Sequence, residues 1–169
     1  IPSSVNELEE GWCNHTWELT KISISKNNQN FSFLDEEHKI IIGKSDKNKE
    51  FFDVVVFSCR NIKKAIIPSN IKHIASFSFS ECSILDTIEF SEDSNLLTIG
   101  KEAFARSSIK SFFIPSNVFE LGEGWCGYTH FLNQVSISNK NKNFIFIDDD
   151  HKMIAGKTKQ KKRSYNILL

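Results

Sequence analysis

Residues 99–118 read IGKEAFARSSIKSFFIPSNV, and this stretch contains the pattern that decides the fold. Within it, Ile109, Phe112 and Ile114 follow the spacing apolar-x-x-apolar-x-apolar, which is typical of a short strand with one buried face. The same hexad begins at four other places: Leu19, Ile62, Leu85 and Leu132. From Ile62 onwards the hexads begin 23, 24 and 23 residues apart. A fixed period in this range indicates an array of stacked coils.

Each repeat also carries apolar positions outside its hexad. One set is Ile74, Phe79 and Cys82, and another is Ile99, Ala103, Phe104 and Ser107. A single unit of this size cannot bury its own apolar face, whereas stacking one unit on the next buries it and pairs the strands about 4.8 Å apart. We therefore expect parallel strands along one wall of a solenoid.

A longer repeat contains the shorter one. Residues 1–56 align without a gap on residues 114–169, and almost half of the pairs are identical. Glu10-Gly11-Trp12-Cys13, for example, returns as Glu123-Gly124-Trp125-Cys126. We expect one repeat array over residues 1–169, about seven coils long, with two duplicated parts. The chain opens on Ile1-Pro2 without Met, so we expect it to be a fragment of a longer array.

The interval between the Leu19 and Ile62 hexads is longer than the later ones, at 43 residues, and its middle does not follow the repeat pattern. Lys39 to Lys44 and Phe52 to Phe57 predict two short strands that are joined by a charged loop. In the second copy, the corresponding segments are Lys152 to Lys157 and Ile167 to Leu169.

The frame Ile-Pro-Ser-x-Val/Ile, then apolar-Gly-x-x-Ala-Phe-x-x-Cys/Ser, then Leu-x-x-Ile-x-Ile resembles the BspA-like leucine-rich repeats of oral bacteria and anaerobic protists. The unit from Ile99 to Ser116 preserves the frame best, whereas Trp12-Cys13 and Trp125-Cys126 stand where the family has Ala-Phe. The resemblance implies an α/β-class leucine-rich repeat solenoid, rich in β-structure. It implies parallel strands on the concave face and short helical or irregular segments on the convex face.

The resemblance also implies a function. The family suggests a surface antigen or adhesin that recognises host-cell, matrix or microbial proteins, and it has no catalytic residues to carry over. An intracellular scaffold that holds a protein partner is the alternative. A membrane anchor, if used, would lie outside this sequence. Exposed repeat ends predict self-association.

Composition argues against other classes of function. Lys+Arg and Asp+Glu are both 21, so the chain lacks the basic excess that nucleic-acid binding requires. No apolar run is long enough to cross a membrane. The sequence contains no nucleophile elbow, phosphate loop or zinc-protease motif, which predicts a non-enzyme without a cofactor.

Several polar or reactive residues have alternative interpretations. His38 and His151 follow acidic runs, where a solvated turn is favoured over a metal site. The basic run 157–163 is interpreted as an exposed loop in preference to a polyanion site. Cys13 and Cys126 are predicted to be buried thiols. Cys59 and Cys82 should stack on adjacent coils as free thiols, with a disulfide as the less favoured alternative.

The concave wall is the predicted binding surface. The third and fifth residues of each hexad should point outward. Among them, Ile66 and Phe113 are large and apolar and flank Glu89, an arrangement that can anchor a protein partner. The predicted partner-binding residues are Lys21, Ser23, Lys64, Ile66, Thr87, Glu89, Ser111, Phe113, Gln134 and Ser136.

Overall fold

A computed structural model describes residues 1–151, 153–157 and 165–168. These residues contain strands and turns but no helix, so the irregular alternative for the convex side is the one that is found. The strands are β1 (Phe31–Phe33), β2 (Ile40–Gly43), β3 (Val54–Ser58), β4 (Lys64–Ile67), β5 (His73–Ile74), β6 (Thr87–Phe90), β7 (Thr98–Ile99), β8 (Ser111–Ile114), β9 (Glu120–Leu121), β10 (Gln134–Ile137), β11 (Phe144–Phe146), β12 (Ile154–Lys157) and β13 (Tyr165–Leu168).

The first wall of the solenoid consists of the hexad strands β4, β6, β8 and β10. Strand β4 pairs with β6 and β8 pairs with β10, both in parallel and in register. Strands β6 and β8 are neighbours, since the rings of Phe90 and Phe112 lie 5.5 Å apart, but they form no regular ladder. This interruption falls at the one 24-residue interval, where an extra residue disturbs the register that equal coils would keep.

A second wall runs along the other side of the coils. Strands β3, β5, β7 and β9 pair in parallel, and Ile74, for example, is opposite Val55 on one side and Ile99 on the other. Side-chain amides add contacts between coils: Asn95 donates to the carbonyl of Ser69, and Asn117 donates to that of Ser94, each at 3.1 Å. These bonds satisfy backbone carbonyls at turns that would otherwise depend on water.

The third side is a stack of irregular turns. Phe79 N donates to Ala103 O at 2.8 Å, and Phe104 N donates to Trp125 O at 2.7 Å, so the turns pair like strands. Left-handed residues recur four positions apart within each turn, as at Glu102 (φ 48°) and Arg106 (φ 58°). A backbone that bends in this way cannot continue as a helix, which explains why the turns are irregular.

The core lies between the three sides and is dominated by aromatic rings. Phe104 is fully buried, stacked on Phe79 at 5.1 Å and against Phe112 at 5.2 Å. Trp125 extends the cluster, with its ring 4.7 Å from that of Phe112. Most inward positions predicted from the 23-residue repeat are buried in the central coils: Ile62, Ala65, Ile67, Leu85, Ile109, Phe112 and Ile114. Two others, Ile88 and Phe90, are only half-buried.

The number of coils predicted from the sequence is wrong. The structure forms about four turns, not seven. The difference lies in the inserts: β1, β2 and β3 form an antiparallel unit, and β11, β12 and β13 form a second one, so neither insert adds coils. The two units share their register, because Phe31 pairs with Gly43 and Phe144 pairs with Gly156.

Two details of the predicted strands also differ. Strands β1 and β11 were not predicted, and the last strand is Tyr165–Leu168, whereas Leu169 lies outside the described residues. The hexad that begins at Leu19 forms no strand. Its apolar residues are only half-buried, in a second cluster around Phe57 and Cys59, so it lacks the continuous ladder that orders the later hexads.

Arg60 joins the N-terminal cluster to the main array. Its side chain is buried, its guanidinium lies 4.7 Å above the ring of Phe57, and it donates to the carbonyls of Cys13 and Ser58, each at 3.4 Å. The hydrogen bonds to these carbonyls and the contact with the ring offset the cost of removing the Arg60 cation from water.

The charged loop between β2 and β3 is closed by Asp53. Its fully buried carboxylate accepts hydrogen bonds from the amide and hydroxyl of Ser45, each at 2.8 Å, and from Lys49 Nζ at 2.6 Å. Burial alone would raise the pKa of Asp53, but the bonds from Lys49 and Ser45 outweigh it and hold this pKa below its ordinary value.

Asp53→Asn is expected to lower the free energy of unfolding by about 2 kcal/mol at neutral pH, because bonds to the ionised carboxylate are lost. The pKa of Asp53 is lower in the folded protein than in the unfolded chain, where it is near 4, so ionised Asp53 stabilises the fold at higher pH. This stabilisation disappears as the pH falls through the folded-state pKa. Urea titrations from pH 7 to pH 3 should therefore show the gap between wild type and variant narrowing below about pH 4. The exposed Asp93→Asn is the control, and a gap that widens in acid would contradict the account.

Candidate functional site: an exposed ladder face

The outward side chains of the two strand pairs of the first wall, β4–β6 and β8–β10, form an exposed surface, which we call the ladder face. Its parallel register places Lys64 opposite Thr87, Ile66 opposite Glu89, and Phe113 opposite Ser136. Ile66 is 57% exposed and Phe113 is 44% exposed, and several large apolar side chains elsewhere on the surface are similarly exposed. The eight residues of the ladder face are Lys64, Ile66, Thr87, Glu89, Ser111, Phe113, Gln134 and Ser136.

Glu89 lies on β6, the strand between those that carry Ile66 and Phe113. Its carboxylate is 2.7 Å from Lys64 Nζ, and both side chains are about half-exposed. An ion pair of this exposure contributes little to stability, so it remains free to exchange partners with an incoming charged group. The centre of the ladder face therefore offers one acidic group between two apolar anchors.

Two predicted binding residues do not join this surface. Lys21 and Ser23 are exposed, but they belong to the N-terminal hexad, which forms no strand and does not pair with β4. The N-terminal hexad begins 43 residues before the next one, and the intervening insert separates it from the first wall. A binding role for Lys21 and Ser23 stays a prediction.

The structure also brings an unpredicted segment beside the ladder face. A groove of about 540 Å³ runs between the β1–β2 turn and the start of β4, with Glu36 and Glu37 on one side and Lys63, Lys64 and Ile66 on the other. The sequence gives the acidic residues but not their position, because that depends on how the insert packs. The groove adds opposite charges to one edge of the ladder face.

The two histidines that follow acidic runs have a structural role in turns. His38 and His151 adopt left-handed conformations (φ 57° and 56°), and their rings stack on Phe33 at 4.4 Å and Phe146 at 4.5 Å. In the described part of the chain, no three His, Cys, Asp or Glu side chains converge on a possible metal position. Most of the basic run 157–163 lies outside the described residues.

All four cysteines are free thiols. Cys13 is buried as predicted, whereas Cys126 is half-buried because Trp125 takes the inward place in the second copy. Burial raises the pKa of Cys13 and of Cys126 to about 11, and it also raises the pKa of Cys59 and Cys82. Thiols with raised pKa are poor nucleophiles at neutral pH, so these cysteines act as small apolar side chains.

The repeats match a known family model. Six copies of the BspA type leucine rich repeat region match residues 49–147. The chain belongs to the BspA-type leucine-rich repeat family. Members of this family are in general non-enzymatic repeat scaffolds. The match covers the coils from the charged loop of the first insert to strand β11.

Solved structures share the BspA-type fold. A leucine-rich repeat protein from Eubacterium ventriosum has a TM-score of 0.66 and 24% identity over 84% of this chain and 36% of its own. The pneumococcal vaccine antigen PcpA has a TM-score of 0.55 and 25% identity over 66% of this chain and 28% of its own. A leucine rich cell surface protein from Faecalibacterium prausnitzii has a TM-score of 0.51 and 19% identity over 59% of this chain and 24% of its own.

The present chain therefore spans about a quarter to a third of the length of these three proteins. A comparison with curated protein sequences gives no match. Within the described residues, no helix has the length and apolar character needed to cross a membrane.

Proposed function

We propose that this chain is a non-enzymatic recognition module that binds a protein partner through its ladder face, as part of a cell-surface adhesin or antigen. The observation that carries the proposal is the exposure of Ile66 on β4 and Phe113 on β8, the strands on either side of the strand that carries Glu89. Exposed apolar residues keep apolar surface in contact with water in the free protein, and covering that surface with a partner is favourable.

The chemistry of the ladder face fits a protein partner. It combines two apolar anchors with a surrounding set of short polar side chains, Thr87, Ser111 and Ser136 among them, that can form the hydrogen bonds of an interface rim. The proposal of a surface location draws on PcpA, described as a vaccine antigen, and on the Faecalibacterium protein, described as a cell surface protein.

The binding role of the ladder face is tested by truncating its two large apolar residues and, as a control, a phenylalanine outside it. Phe113→Ala and Ile66→Ala should each weaken binding to a host-cell or matrix protein at least tenfold, because truncating a central anchor costs about 2 kcal/mol. Phe119 is 43% exposed but lies beside the second wall, so Phe119→Ala is a matched control that should bind as wild type. Surface plasmon resonance measures the affinity of each variant and of the wild type. Unchanged binding in the Phe113 and Ile66 variants would remove the ladder face from the interface.

The surface location is tested on intact source cells. Antibody against the chain should stain unpermeabilised cells, and the staining should disappear after protease treatment of the cell exterior. Staining that requires permeabilisation would contradict an adhesin, and the intracellular scaffold would replace it.

A further inference from the structure

A second concave surface lies away from the ladder face, where the stack of turns meets the start of the hexad strands. We call it the rim groove. It has a volume of about 610 Å³ and is lined by Arg106, Ser107, Ser108, Tyr128, His130 and Phe131. None of these residues belongs to the ladder face, so the two surfaces can be tested separately.

Two aromatic side chains form the apolar part of the rim groove. Tyr128 is 68% exposed and Phe131 is 61% exposed, more than either apolar residue of the ladder face. The segment that carries them is held in place, because Thr129 Oγ1 donates to Cys126 O at 2.6 Å and Leu132 N donates to Thr129 O at 3.1 Å. The guanidinium of Arg106 lies 5.0 Å from the Tyr128 ring centre and orients that ring. The groove therefore presents aromatic rings on an ordered backbone.

The polar groups of the rim groove are suited to hydroxyl groups. Ser107 is only 3% exposed, and its buried Oγ has no hydrogen-bond partner in the structure. The Ser107 Oγ atom has almost no accessible surface, so a ligand in the open groove would meet the more accessible groups beside it. Beside it, Ser108 Oγ donates to Ser83 O at 2.5 Å and keeps its acceptor lone pairs available to a ligand.

One cation faces two carboxylates at the rim groove. Arg106 is half-exposed, and its Nη1 lies 4.0 Å from carboxylate oxygens of both Glu81 and Glu102. A phosphate or carboxylate ligand would have to compete with these two acids, whereas a neutral hydroxyl can accept from the guanidinium without a charge penalty. The electrostatics therefore favour an uncharged polar ligand over an anion.

From this combination we propose that the rim groove binds a neutral oligosaccharide. The C–H faces of a sugar ring pack on exposed aromatic rings such as Tyr128 and Phe131, and its hydroxyls match Arg106 and Ser108. An open groove with aromatic walls and a few polar groups is the usual form of a small-ligand site. The proposed site is separate from the protein-binding role of the ladder face.

The site belongs to the second copy of the 113-residue repeat alone. At the positions that match Tyr128 and Phe131, the first copy has His15 and Glu18. A Glu in place of Phe removes one aromatic wall, so the first copy should not bind the same sugar. The duplication thus produced one saccharide site, not two.

The test is binding of the whole chain to a printed array of neutral oligosaccharides with sialylated counterparts, followed by titration of the strongest neutral probe. We expect binding to neutral probes, weakened about tenfold by Tyr128→Ala and abolished by Tyr128→Ala with Phe131→Ala. Trp17→Ala, which removes an aromatic side chain of similar exposure (66%), should have no effect, nor should Phe113→Ala. Circular dichroism checks that each variant is folded.

Three results would overturn the rim-groove proposal: no binding to any neutral probe, binding to sialylated probes only, or binding that survives the double variant. Loss of a protein partner on Tyr128→Ala, without a saccharide signal, would assign the groove to proteins and would also overturn it. Loss of protein binding in Phe113→Ala concerns the ladder face alone, so failure of one proposal does not affect the other.

Discussion

Phe104→Ala is expected to lower the free energy of unfolding by about 3–5 kcal/mol, the range for removing a buried Phe from a packed core. Phe104 is fully buried and contacts Phe79 in the preceding coil and Phe112 in the first wall. Its ring therefore joins the stack of turns to the first wall, and one coil to the next. In a repeat array, where each coil depends on its neighbours, such a residue should affect the whole stack.

Urea unfolding followed by tryptophan fluorescence and by far-UV circular dichroism would measure the effect of Phe104→Ala. Phe119→Ala is the control, because its ring is 43% exposed and surface truncations cost within about 0.5 kcal/mol. Equal losses from the two variants would mean that the aromatic stack does not hold the coils together. If the unfolding transitions measured by fluorescence and by circular dichroism no longer coincide, the coils of the variant unfold separately.

The second large effect is expected at Gly100, where an added methyl group has no room. A Cβ built there would lie 2.4 Å from Ser76 N and 2.8 Å from Ala75 C, both backbone atoms of the preceding coil. Backbone cannot move aside as a side-chain tip can, so the coils would have to separate. Gly100→Ala should therefore lower the free energy of unfolding by about 3 kcal/mol.

Alanine also lowers the conformational entropy of the unfolded chain, which stabilises the folded protein by about 0.4–1 kcal/mol. This gain offsets only part of the stability lost to the clash at Gly100. The neighbouring Lys101→Ala is the control, because Lys101 is exposed and should tolerate truncation. Thermal unfolding of the three proteins gives the comparison. A Gly100 variant as stable as wild type would contradict the close approach of the two backbones.

The hexads predicted the first wall well because they encode a local and repeated property. Residues such as Ile109, Phe112 and Ile114 alternate with exposed neighbours, and burial of one face is all that this spacing requires. The register between coils then follows from the repeat length, as the interruption at the 24-residue interval illustrates. This is why the outward ladder residues could be listed from the sequence, although their binding role stays a prediction.

The inserts could not be predicted to the same extent. Strand β1 is only three residues long, and its pairing with β2 depends on Asp35, which accepts from the amides of Lys39 and Ile40 to close the turn. A short apolar segment such as Phe31–Phe33 has no periodicity that separates strand from turn. The groove between the β1–β2 turn and β4 and the rim groove could not be predicted for a related reason, because each joins residues from separate parts of the chain.

The ladder face is tested most directly by photo-crosslinking. A benzoyl-phenylalanine replaces either Phe113 or Phe119, two equally exposed phenylalanines on different walls. Each protein is then mixed with a host-cell or matrix protein that binds the wild-type chain, and illuminated. The account predicts a covalent adduct from position 113 and none from position 119. An adduct from position 119 alone would place the interface on the opposite wall and contradict the central claim.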